Sequence, residues 1–181
     1  SLACYLPGFG IEDISSSLRT FIPSAQLTPG RLNIFKFKNF KVLIDFAHNP
    51  AGYEAIEKKK KNVESTKKIG IISGVGDRRD EDIRLCGQIA GRMFDHIIIR
   101  NEKHLRGRTE EEINGLIIEG MQASGRDVSY ETIPKELEAL KQEKGRAEDG
   151  TFTTALSDVI SNAIDLVQDY QARELLEDDK V

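Results

Sequence analysis

Apolar runs and amphipathic stretches alternate along most of this chain. Short β-type runs at Leu32–Phe37, Val42–Phe46, Ile69–Ser73, His96–Arg100, Val128–Thr132 and Phe152–Leu156 predict strands. The stretches between them predict helices over Ala51–Val63, Asp80–Met93, Thr109–Ser124, Pro134 to about Arg146 and Asp158 to about Leu176. In the second of these helices Ile83, Cys86, Ala90 and Met93 recur at three- and four-residue spacing, broadened by Leu85 and Ile89, which predicts a face packed on a sheet. In the first, Tyr53, Ile56 and Val63 mark a less regular inward face that Lys58–Lys61 interrupts. Thr109 and Glu112 predict a capping box at the start of the third.

Strand then helix, repeated through short connections, implies parallel strands, right-handed crossovers and helices on both faces. The first two strands are separated only by Lys38–Lys41, which predicts a hairpin. The expected fold class is α/β: a three-layer αβα arrangement around a mostly parallel six-stranded sheet with one antiparallel hairpin strand. The opening stretch, Ser1–Phe21, differs. It has a turn at Pro7–Gly10 and then Ile11, Ile14, Leu18 and Phe21 on one helical face, an αα element. "IPSAQLTPGR", Ile22–Arg31, has the composition of an interdomain connection. A boundary near Thr28 divides the chain into a helical segment, residues 1–27, and an α/β domain, residues 28–181.

Composition then narrows the function classes. The 26 basic and 30 acidic residues are interspersed and sum to −4, which leaves no basic field for nucleic acid. Cys4 and Cys86 lie far apart without a C-x-x-C pair, against a disulfide scaffold, a zinc site or a redox dithiol. No run approaches the roughly 18 apolar residues of a membrane helix, and the first residues do not read as a signal peptide, so a cytoplasmic location is expected. The start at Ser1-Leu2-Ala3, without Met and in a helix-forming segment, suggests a fragment of a longer protein or N-terminal processing. The acidic tail "LLEDDKV" is expected to fray.

Ligands of open α/β sheets collect beyond the carboxyl ends of the strands. Three candidate loops stand there: Asp45–Pro50, Gly74–Asp82 and Asn101–Arg108. In "DFAHNP", Asn49 suits a helix N-cap and Pro50 the first helical turn, so both have a structural explanation. Asp45 and His48 are open to two readings, a polar turn or contacts to a ribose or phosphate. In "GVGDRRDED", Arg79 stands where a dinucleotide fingerprint needs its third glycine, and the chain has no G-x-x-x-x-G-K-[ST]. Arg78 and Arg79 either hold a carboxylate or phosphate, or latch the loop on Asp77, Asp80, Glu81 or Asp82. In "RNEKHLRGR", Arg106 and Arg108 have the fewest local structural explanations. No nucleophile elbow or Ser-His-Asp pattern supports a hydrolase. The run Lys58–Lys61 reads as a solvated helix end whose charge suits the helix dipole.

In this order, "TPGRLN", "DFAHNP", "GDRRDED" and "LRGR" resemble the C-terminal domain of the Mur ligase superfamily, and most of all its cyanophycin synthetase branch. The resemblance covers about Ser1–Leu176, with the opening αα element matching the end of the family's central ATPase domain. It implies an ATP-dependent acid–amino-acid ligase that forms an acyl phosphate and then an amide, with arginine added to a poly-aspartate backbone. ATP and Mg²⁺ are the implied cofactors, the metal and triphosphate being held mainly by a central domain outside this chain. The amino acid, the polymer or peptide acceptor and a homo-oligomeric full-length enzyme are the implied partners, with no nucleic acid and no membrane.

Carried over to these positions, the resemblance gives Arg31, Asp45, His48 and Asn49 to the nucleotide. It gives Asp77, Arg78, Arg79, Arg106 and Arg108 to the amino acid or growing chain, with Arg78 and Arg79 facing the charge that develops in transfer, and no metal ligands. Asp80 or Asp82 would accept from the guanidinium of an arginine substrate. The chain departs from the family pattern at Phe46, where tyrosine is commoner, at His104, where an acid is expected, and at Lys58–Lys61, where apolar residues are usual. The chain alone is expected to be inactive. Other readings are a free-standing, non-catalytic nucleotide or amino-acid binding module of the same fold, another Mur-type ligase acting on muramyl peptides or folylpolyglutamate, and a nicotinamide-dependent oxidoreductase, which lacks its glycine fingerprint.

Overall fold

The computed structural model describes residues 2–20, 24–60, 63–102 and 105–178. Phe21–Pro23, Lys61, His104 and the last three residues of the acidic tail, all part of the expectations above, lie outside the described residues.

Two short helices come first, α1 (Leu2–Tyr5) and α2 (Ile11–Thr20). Then β1 (Asn33–Lys36), β2 (Lys41–Asp45), α3 (Pro50–Lys60), β3 (Lys67–Ile72), α4 (Asp80–Met93), β4 (His96–Ile99), α5 (Glu110–Gln122), β5 (Ser129–Thr132), α6 (Glu136–Arg146), β6 (Thr151–Leu156) and α7 (Ile160–Asp178) follow in order. Every strand and helix that the sequence pattern predicts is present, with ends shifted by a few residues, as frayed termini and capping turns allow.

The strands form one six-stranded sheet in the order β1-β2-β6-β3-β4-β5. Only β1 and β2 are antiparallel, the predicted hairpin, with Ile34 opposite Leu43. The other pairings are parallel. β6 is inserted between β2 and β3: Thr154 is in register with Leu43 on one side and Gly70 on the other. All six of its residues are buried, as a strand covered on both faces requires.

Alternation along the strands sorts the core into two layers. Leu43, Ile72, Ile97, Ile99, Phe152 and Leu156 pack with Tyr53 and Ile56 of α3 and with the apolar faces of α4 and α5. Val42, Ile44, Ile69, Ile71, Ile98 and Ala155 pack on the other side with Ala139 and Leu140 of α6 and Ala163, Ile164 and Val167 of α7. The expected stripe on α4 is buried at Ile83, Cys86, Ile89, Ala90 and Met93, but Leu85 is 38% exposed and does not broaden it. It lies outside the arc that a single sheet face covers. On α2 the predicted apolar face exists without a cover: no residue of that helix is buried, and Ile11 and Leu18 are mostly exposed.

α4 and α5 meet backbone to backbone. A Cβ on Gly120 would lie 2.0 Å from the Arg84 carbonyl oxygen, and one on Gly87 would lie 2.3 Å from that of Ile117. Arg84 closes the same crossing with an ion pair to Glu119. This close approach fixes the loops after β3 and β4, the two that carry the arginine clusters.

Candidate functional site

The segment before β1 is built into the sheet by side chains that serve its backbone. The Asn33 side chain, 4% exposed, accepts from Gly30 N and donates to the carbonyls of Thr28 and Arg31. Gly30 has φ +71°, and a Cβ there would meet Ile160 at 2.7 Å, so only glycine fits. Leu32 is also left-handed, φ 51°, a conformation that costs on the order of 1 kcal/mol outside glycine. Asp45 holds it: one carboxylate oxygen accepts from Leu32 N at 2.7 Å and the other from Ala47 N at 2.8 Å. Phe46 N in turn donates to Gly30 O. Asp45, 7% exposed, is thus a clamp between the residue 28–32 segment and the β2–α3 turn.

His48 Nδ1 lies 2.8 Å from the Phe46 carbonyl oxygen. A carbonyl only accepts, so Nδ1 carries the proton, and Nε2 of the neutral ring is an acceptor. The Phe46 ring stands edge-on to His48 at 4.8 Å and lies under the Arg31 guanidinium, 5.7 Å from the ring centroid. Asn49 accepts from Gly52 N at 2.8 Å, the N-cap bond expected of it, and Pro50 opens α3. Between these parts lies a cleft of about 630 Å³ lined by Arg31, Asp45, His48 and Asn49, with Leu32, Ile34, Phe46 and Ile56 as apolar walls. Lys59, from the run read as a solvated helix end, also lines it. All four residues expected at a nucleotide meet here, in a volume and chemistry that fit one: a cation over a ring, an imidazole acceptor, a helix N-terminus and apolar walls.

The arginines of the other two loops fall into different roles. Arg79 forks on Asp82, with Nε and one terminal nitrogen 2.9 and 3.1 Å from its two oxygens, and reaches Glu81 at 2.9 Å. The Asp82 bonds hold it even more firmly protonated than a free arginine. Of the two readings for Arg79, the geometry is that of the loop latch. Arg108 pairs with Asp80 at 2.7 Å and donates to the Arg78 carbonyl, tying the β4–α5 loop to the β3–α4 loop. Asp80 and Asp82, expected to accept from a substrate guanidinium, are therefore already held by the chain's own arginines. Arg78 is half-buried, 3.8 Å from Asp77, and its Nε is buried with no hydrogen-bond partner among the described residues. Arg106 is exposed at a left-handed position, φ 54°, beside Gly107, and forms no ion pair among the described residues. The capping box of Thr109 and Glu112 is present and sets the start of α5.

A second cleft, of about 600 Å³, lies beyond β4 and β5 between the β4–α5 loop and α6. Below its wall the Arg100 side chain, 3% exposed, pairs with Asp158 at 2.9 Å and Glu136 at 3.5 Å and donates to the Leu156 carbonyl. Burial pushes the Glu136 carboxyl well above the ordinary glutamate range; Arg100 opposes the shift and Asp158 adds to it. The sequence pattern ends a strand at Arg100 but does not reveal its two acids. The available signal was an arginine ending the all-isoleucine run of β4, where a buried cation must find buried carboxylates. Among the described residues, no group of three or more His, Cys, Asp or Glu is arranged to hold a metal ion, and no helix is long and apolar enough to cross a membrane.

The sheet order and the clamp of the residue 28–32 segment on the "DFAHNP" turn define a three-layer α/β domain with a polar cleft at the carboxyl end of β2. The family model for Mur ligase, glutamate ligase domain, matches residues 30–163, and the chain belongs to that family. Within it, the sequence resembles cyanophycin synthetase. It is 41% identical over 170 residues to the cyanophycin synthetase of Geminocystis herdmanii and 40% identical over 166 residues to that of Crocosphaera subtropica. These matches cover 94% and 92% of this chain but 19% of each relative, so the chain spans about a fifth of the length of these curated relatives. Solved structures share the fold. E. coli FolC in complex with DHPP and ADP has a TM-score of 0.67 at 17% identity, covering 91% of this chain and 36% of that one. UDP-N-acetylmuramate–alanine ligase of Thermotoga maritima has a TM-score of 0.64 at 16% identity, covering 95% of this chain and 36% of that one.

Proposed function

We propose that this chain is the nucleotide-closing, amino-acid-binding domain of an ATP-dependent acid–amino-acid ligase that adds arginine to a poly-aspartate backbone. The single observation that carries the reading is the cleft in which Arg31, Asp45, His48 and Asn49 converge. The likeness to cyanophycin synthetases supports the choice of amino acid and acceptor.

In this reaction the γ-phosphoryl group of ATP passes to a substrate carboxylate, giving an acyl phosphate and ADP. The amine of the incoming amino acid attacks the acyl carbon, loses a proton, and phosphate leaves as the amide forms. This chain's residues position the reactants. Arg31 offers its guanidinium to a phosphate or ribose oxygen from the connecting segment, and His48 Nε2 accepts from a ribose hydroxyl. Asp45 acts through backbone, holding both segments in register. Arg78 and Arg106 retain donors for a substrate carboxylate and for the negative charge of the tetrahedral intermediate, with Asp77 beside Arg78. Arg79 and Arg108 shape the loops that present them. A boundary near Thr28 places the hinge on which this domain closes before the clamped residue 28–32 segment. A Mg²⁺ bound with the triphosphate would be held by the domain that supplies the phosphate-binding loop.

Replacing His48 by Ala tests the cleft. In the full-length enzyme ATP affinity should fall about tenfold, the size of one lost hydrogen bond to a polar ligand. Unchanged affinity and turnover would remove His48 from the site. The 181-residue chain alone should release no ADP at an enzymatic rate with arginine and a β-linked Asp-Arg primer. Turnover by it would overturn the division of labour.

A further inference from the structure

Arg100 has no part in the reaction as described above, yet among the described residues it is the one cation that the fold buries. We infer that Arg100 is a positioning residue for the nucleotide cleft: from the end of β4 it fixes, across the carboxyl edge of the sheet, the segment that carries Arg31. For its ligand this rests on the nucleotide reading above; its path rests on the hydrogen bonds and contacts of this chain.

The carboxyl ends of four strands are tied in a row. Arg100 N donates to the Ile72 carbonyl at the end of β3, at 2.9 Å, and the guanidinium passes that strand to donate to the Leu156 carbonyl at the end of β6, at 3.0 Å. The next residue, Ser157, donates its N–H to the Asp45 carbonyl at the end of β2, at 2.9 Å. The Asp45 carboxylate then holds Leu32 N and Ala47 N, which sets the residue after Arg31 and the residue before His48. A second path leaves the same guanidinium. It pairs with Asp158 at 2.9 Å, two residues before the start of α7 at Ile160. Ile160 lies against Gly30, where a Cβ would come within 2.7 Å of it. Both paths end on the flanks of Arg31, one at Gly30 and the other at Leu32. Arg31 itself is exposed, so its backbone and the Phe46 ring beneath it are what give it a direction.

Stability alone does not call for an arginine here. Replacing a buried ion group by apolar residues of similar volume is often neutral or stabilising. A guanidinium offers what those residues lack: a rigid planar fork, whose donors stand toward Leu156, Asp158 and Glu136 at once. Lysine keeps the charge but acts as a point donor on a flexible stem.

Steady-state kinetics of the full-length enzyme test the assignment with Arg100→Lys, Arg31→Ala and the double variant. Arg100→Lys keeps the charge that Asp158 and Glu136 face and loses the fork. It should raise KM for ATP at least about fivefold, the lower end of coupling between separate sites, with kcat at saturating ATP within about twofold of the parent. A role in stability alone would lower the denaturation midpoint and leave KM where it was. In the Arg31→Ala background the effect of Arg100→Lys on KM should shrink, because both changes act on one contact; full additivity would place the action of Arg100 elsewhere and overturn the proposal. Asp158→Asn, at a side chain 23% exposed, loosens the second path and leaves the Leu156 bond in place. It should raise KM in the same direction, and it decides the matter if Arg100→Lys fails to fold. KM unchanged in Arg100→Lys and Asp158→Asn but raised in Arg31→Ala overturns the proposal and leaves the nucleotide reading standing. KM unchanged in Arg31→Ala removes Arg31 from the nucleotide, and the proposal falls with that reading.

Discussion

Glu143 on α6 is a carboxyl at the wrong depth for a charge: 4% exposed, against Thr153 of the central strand. Burial pushes its pKa up to about 7, the Glu131 charge adds to this, and Lys67, Arg146 and Thr153 oppose it. Between the ordinary glutamate value and about 7 the folded chain holds a proton that the unfolded chain has lost. Stability therefore falls as pH rises through that window and levels off above it. Glu143→Gln should flatten this slope and make the chain about 1 kcal/mol more stable at pH 8, after allowance for solvent screening. Chemical denaturation at pH 5 and pH 8 measures it, and an unaltered slope would place the titration elsewhere. Residues such as Glu143 and the Arg100–Glu136–Asp158 group were illegible in the sequence because their partners come from distant strands and helices. Asp45 and His48 were legible as candidates, since an acid and an imidazole straight after an apolar strand stand where ligands of open α/β sheets collect. That Asp45 works through Leu32 N and Ala47 N was not, because a left-handed leucine leaves no mark in composition.

α5 contains a matched pair of glycines with opposite constraints. Gly120 has no space for a Cβ against the Arg84 carbonyl, whereas nothing lies within 4 Å of the Cβ position of Gly115. Gly120→Ala must push α4 and α5 apart and should cost about 1–3 kcal/mol. Gly115→Ala gains helix propensity alone and should stabilise by up to about 1 kcal/mol. Denaturant midpoints at constant slope read both, and effects of the same sign would mean that the crossing is looser than its geometry. The elements themselves were readable because period-two apolar runs and three- and four-residue stripes alternate cleanly. The contact between α4 and α5 was not, since a glycine inside a helix pattern reads equally as a packing residue or a weakness. Leu85 shows the converse limit: its apolarity extended the predicted stripe, yet burial is decided by the width of the face that the sheet can cover.

Across the molecule, strand-helix alternation was enough to predict a parallel sheet with one hairpin, but not its order. Alternation says that strands are parallel and that crossovers return to the sheet; it does not say which gap a strand enters. The final strand enters the middle, and the whole architecture depends on that choice. Ser157, next to β6, donates to the Asp45 carbonyl, and Asp158 reaches Arg100, so both clefts draw on residues around the last strand. The uncovered apolar face of α2 belongs to the same scale, since the ligase reading puts its cover in a domain that this chain does not span. A chain ending at Gly150 should show no cooperative melting by circular dichroism, and a sharp transition would mean that the two halves of the sheet are independent units. The central position of β6 also has a consequence during synthesis on the ribosome. Until Leu156 has emerged, β2 and β3 each present a bare hydrogen-bonding edge on hydrophobic strands, so translational pausing late in this segment is the moment of greatest risk of mispairing with another nascent chain.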